Sequence, residues 1–94
     1  MLVSLSQVTA LYKIRQDVET CLDSKVNWAA RIRENVGREA VERAITRLSA
    51  LIEEWERFGQ AEWRSDLAWT VIDLDHQKGL DQAIKYLASD NKAL

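Results

Sequence analysis

The 94 residues contain no proline, three glycines and one cysteine, and carry a net charge of −2. So short a chain makes one domain, 1–94, whose core would be marginal on its own, and the scarcity of proline and glycine disfavours turn-rich β architectures. Cys21 alone excludes an internal disulfide framework and a cysteine-rich metal site.

The first segment runs from about residue 4 to residue 36. Val8, Leu11, Tyr12, Val18 and Leu22 recur at three- and four-residue steps, and Val26, Ala29, Ile32 and Val36 continue the same phase. Ser4 or Ser6 would cap its start. Asp23-Ser24 is a soft spot that could cap a second helix beginning at Lys25. The unbroken phase favours one long helix over a split one. Gly37 suits a left-handed C′ position, so the next helix should fold back in a tight antiparallel hairpin.

Residues 38–58 form the clearest helix. Ala40, Val41, Ala44, Ile45, Leu48, Leu51, Ile52, Trp55 and Phe58 fill one arc, the opposite face is charged, and Gly59 terminates it. A third helix is predicted over 60–77, with Leu67, Ala68, Val71, Ile72 and Leu74 on its apolar side. Trp63 borders that side and Trp69 lies off it. Gly79 breaks this helix. A short last one follows over 80–88, with Leu80, Ala83, Ile84 and Leu87 facing inward, and the tail 89–94 frays. The fold class is therefore all-α: an antiparallel helical bundle of three long helices and a short C-terminal one. If the first helix is continuous it spans roughly 48 Å against roughly 32 Å for the second, at 1.5 Å per residue. The other helices, or a second subunit, must then cover the overhang.

Charge is unevenly spread. Residues 25–47 hold six basic and three acidic side chains, a net +3, while residues 48–94 hold five basic and nine acidic, a net −4. Such asymmetry suits either a nucleic-acid face or the mutual orientation of subunits. Arg31, Arg33, Arg38, Arg43 and Arg47 are the candidate phosphate ligands. Glu34, Glu39 and Glu42 interleave with them, and neither a glycine-rich anion loop nor helix-turn-helix spacing is present. A salt-bridged, solvated face is the simpler account.

Of the four tryptophans, Trp55 lies on the packing seam. Trp69, Trp28 and Trp63 fall off or beside the apolar arcs and are candidate interface anchors. Arg15 sits near the middle of the first arc, where a charge must be paired or reach water, and is a candidate polar contact fixing register in an interface. Arg64 and Asp75 pose the same question on the third helix. Asp73 and His76 share a face, but one histidine is too little for a transition-metal site. Glu53 and Glu56 could form half of the paired carboxylates of a metal-dependent all-α hydrolase. The second half fails because Thr70 stands three before Asp73, and Glu53 faces away from the apolar arc. Cys21 reads as a small buried apolar residue.

No catalytic residue, cofactor or metal is expected. The N-terminus has no basic region followed by an apolar run, so no signal peptide is read. No stretch approaches the roughly 18 apolar residues of a membrane span. A lone thiol fits a reducing, cytoplasmic setting. The sequence predicts a non-catalytic helical protein-binding module that self-associates, with no membrane partner. A small accessory, regulatory or inhibitory protein, such as a phage or mobile element encodes, fits this description by size alone. The alternatives are a nucleic-acid accessory using the 31–47 arginines and, last, the carboxylate–metal hydrolase.

Overall fold

The first helix stops where its sequence offers the backbone another partner. In the computed structural model, which describes residues 5–58 and 65–89, α1 (Leu5–Asp23) ends at Asp23 and α2 (Asn27–Val36) begins after a three-residue break. Ser24 Oγ accepts the Val26 N–H at 2.8 Å, a local bond of the kind that competes with helix. The last carbonyls of α1 are taken by side chains: Arg33 Nη1 donates to Cys21 O at 2.7 Å and to Leu22 O at 3.2 Å, and Arg38 Nη1 donates to Leu22 O at 3.3 Å. These bonds satisfy groups that a helix end leaves without intrahelical partners, and they bring positive charge to the negative end of the α1 dipole. The continuous helix favoured by the apolar phase is therefore corrected to two helices.

The break resolves the mismatch in length. A helix over 4–36 would span roughly 48 Å, longer than the 38 Å greatest dimension of the molecule. The 19 residues of α1 span roughly 28 Å and the 21 residues of α3 (Arg38–Phe58) roughly 32 Å. The two run antiparallel. Leu22 lies beside Arg38 at one end, and at the other the Tyr12 hydroxyl donates to Glu56 Oε1 at 2.8 Å. The antiparallel partner of α3 is thus α1 and not the whole 4–36 segment.

Single glycines make two of the corners. Gly37 has φ +92° and ψ 145°, and its N–H reaches Arg33 O at 2.8 Å. The positive φ agrees with the sequence prediction of a left-handed C′ glycine. The ψ is not that of the left-handed helical region but of an extended region essentially reserved for glycine. Between α4 (Asp66–Lys78) and α5 (Leu80–Ala88), Gly79 does the same with φ +108° and ψ 166°. α4 starts at Asp66, because Ser65 is extended and its Oγ accepts the Ala68 N–H at 3.2 Å as N-cap; residues 60–64, expected as the first turn of this helix, lie outside the described residues. The expected termination at Gly59, Trp63, Arg64 and the tail beyond Ser89 lie outside the described residues, as do the N-terminal residues before Leu5.

Among the described residues there is no strand, and the five helices enclose one apolar cluster. α1 contributes Val8, Leu11, Ile14, Val18 and Cys21. α3 contributes Val41, Ala44, Leu48, Leu51, Ile52 and Trp55, and α5 contributes Ala83, Ile84 and Leu87. α3 packs most closely on α1 and α5, and α5 also covers α4. Ile14 and Cys21 rotate the buried arc of α1 away from Tyr12, which is 37% exposed. Val26 and Phe58, both expected on core faces, are 46% and 58% exposed. Val26 leaves the core face because the helix breaks just before it, and Phe58 because it is the last residue of α3, stacked under Arg57 at 5.7 Å. No described helix is long and apolar enough to cross a membrane.

Candidate functional site

The five arginines of residues 31–47 do not form one free basic face. Arg33 and Arg38 hold the C-terminus of α1, as described above. Arg47 does the corresponding work on α5, donating from Nη1 to Leu87 O and Ser89 O at 3.2 Å each. Arg43 pairs with Glu39 one turn earlier on α3, at 2.9 Å. Only Arg31 of the five is exposed with no hydrogen bond or ion pair to a described residue. Sequence spacing could not show this. The carbonyls that three of these arginines reach belong to helix ends 11 to 42 residues away along the chain.

Arg15 stands at the border of the α1 core rather than its centre, a consequence of the rotated arc. It lies over the Tyr12 ring at 5.4 Å and 3.8 Å from Glu19. Tyr12, Arg15, Glu19 and Glu56 therefore make a surface polar cluster, where an ion pair contributes little. The Glu56 carboxylate that accepts the Tyr12 hydroxyl holds the phenol's pKa above its usual value, reinforced by partial burial.

Trp69 is corrected from an open position to a half-buried one. It packs against the core cluster, and its Nε1 is buried without an acceptor among the described residues. α4 touches both α1 and α5. Its apolar surface is consequently wider than a single stripe, with Leu67, Trp69, Ile72 and Leu74 flanking the buried Ala68 and Val71. Trp55, 6% exposed as the seam position requires, also has a buried indole N–H with no described acceptor. Asp75 is half-buried on α4. Desolvation, and secondarily the charge of Asp17 on α1, push its carboxyl pKa up. Burial likewise raises the Cys21 thiol, whose Sγ contacts Asp17 O at 3.4 Å. Glu53, Asp73 and His76 are exposed, and no three His, Cys, Asp or Glu side chains among the described residues converge as a metal site would require.

The remaining feature is the corner between α1 and α2. Val26 and Trp28 are 46% and 42% exposed, with Lys25, Asn27 and Arg31 exposed around them. Val26 occupies the N-cap position of α2 and supplies no side-chain cap, so the first amides of that helix lack the usual acceptor. An apolar N-cap is a poor local choice, costing about 1 kcal/mol against serine or aspartate. Trp28 was legible as lying off the arc. Val26 was not, because its phase with Leu22 and Ala29 is that of a core residue if the helix is continuous.

A comparison of the chain with protein-family models, curated proteins and solved structures finds no match to it.

Proposed function

We propose that the protein is a non-catalytic helical interaction module that associates with itself through the corner between α1 and α2. The observation that carries this reading is the exposure of Val26 and Trp28, two apolar side chains two residues apart at a helix start. Tryptophan is the side chain most enriched among the energetically dominant residues of protein interfaces. A chain of this size also gains from burying more surface than its own core can. Lys25 and Arg31 border the pair without ion-pair partners among the described residues, while the chain beyond residue 47 is acidic. That complementarity would favour a neighbour presenting carboxylates. An accessory or regulatory role in a reducing, cytoplasmic compartment agrees with the single buried thiol.

Solution mass against concentration, by light scattering on the wild type and a Val26→Ser/Trp28→Ser variant, tests the proposal. A wild-type mass that rises with concentration and a variant that stays monomeric would support it. A wild type that stays monomeric throughout would overturn it. The nucleic-acid alternative keeps only Arg31 and the outward donors of the other arginines. It would require duplex binding that weakens steeply with salt and is lost in Arg31→Ala.

A further inference from the structure

We draw no further inference here: the strongest candidate, the open groove of about 390 Å³ between α3 and α5 with Val36, Ala40 and Ala88 along it and Glu39, Arg43 and Lys85 at its rim, carries charges of both signs and nothing in the structure shows what covers it.

Discussion

Replacing Arg33 by methionine separates a structural role for the basic segment from a ligand-binding one. Arg33 is half-buried, and its guanidinium makes two charge-assisted bonds to the end of α1, at 2.7 and 3.2 Å. A hydrogen bond to a charged group contributes about 1.5–3 kcal/mol. Water can reach part of the vacated helix end, so the pair together is worth about 2 kcal/mol, below the roughly 3–6 kcal/mol that two such bonds could give in full. Methionine matches arginine in helix propensity and replaces its unbranched aliphatic stem, so the change removes chiefly the polar contacts. For a domain of this size, about 2 kcal/mol lowers Tm by roughly 8–15 °C. Arg31→Met is the control, because Arg31 sits two residues away on the same helix, exposed and without a described partner. It should cost no more than about 0.5 kcal/mol. Urea unfolding followed by far-UV circular dichroism and by tryptophan fluorescence reads both values, provided the two transitions coincide. Equal stabilities for Arg33→Met and Arg31→Met would refute the capping argument. Arg33→Lys should recover part of the loss, since it keeps a positive charge near the α1 C-terminus, an effect of about 0.3–1 kcal/mol.

Further outcomes at three positions follow from the same structure. Gly37→Ala should destabilise by about 1–3 kcal/mol through backbone strain alone, because no atom lies within 4 Å of the added Cβ and the positive φ is the whole obstacle; thermal melts that match wild type would remove Gly37 as a required joint. Trp69→Phe should leave stability within about 1 kcal/mol of wild type, because the lost packing is offset by removal of a buried N–H that lacks an acceptor. Trp69→Ala should cost about 2 kcal/mol or more, with association unchanged, and a dissociated but equally stable Trp69→Ala would place the interface on α4 instead. Asp75 contributes a pH dependence of definite sign. Its folded pKa lies above the unfolded value, mainly from burial, so the folded state holds the proton more tightly. Stability from this group is greatest below the ordinary carboxylate pKa and falls as pH rises through the folded value. Asp75→Asn should therefore flatten that fall in denaturation curves taken from acid to neutral pH, and an unchanged slope would mean that Asp75 is fully solvated.

The helical class, α3 and α5 are legible in the sequence because their apolar residues keep helical spacing with no competing signal. Val41, Leu48, Ile52 and Trp55 of α3, and Ala83, Ile84 and Leu87 of α5, are all buried where periodicity puts them. The break after α1 is not legible from phase, since an apolar pattern can continue in register through three non-helical residues. What decides it is long-range. Arg33 and Arg38 supply partners for carbonyls that a continuous helix would have satisfied internally. The same contacts explain why a cluster of arginines reads from sequence as a candidate anion surface: composition reports charge but not which backbone oxygens lie within reach. Trp69 illustrates the opposite limit. Judged from α4 alone it is off the apolar stripe, but helices on two sides widen the stripe to include it. The exposed corner is half legible: Trp28 stands off the arc in the sequence, whereas Val26 becomes a surface residue only once the break is known.

Amide chemical shifts of the wild-type protein, compared between dilute and concentrated samples at fixed pH and salt, test the proposed interface most directly. Concentration-dependent shifts should centre on Lys25 to Arg31 and be abolished in Trp28→Ser with the rest of the spectrum intact. Shifts centred elsewhere, or a spectrum that does not change with concentration, would contradict self-association through the α1–α2 corner.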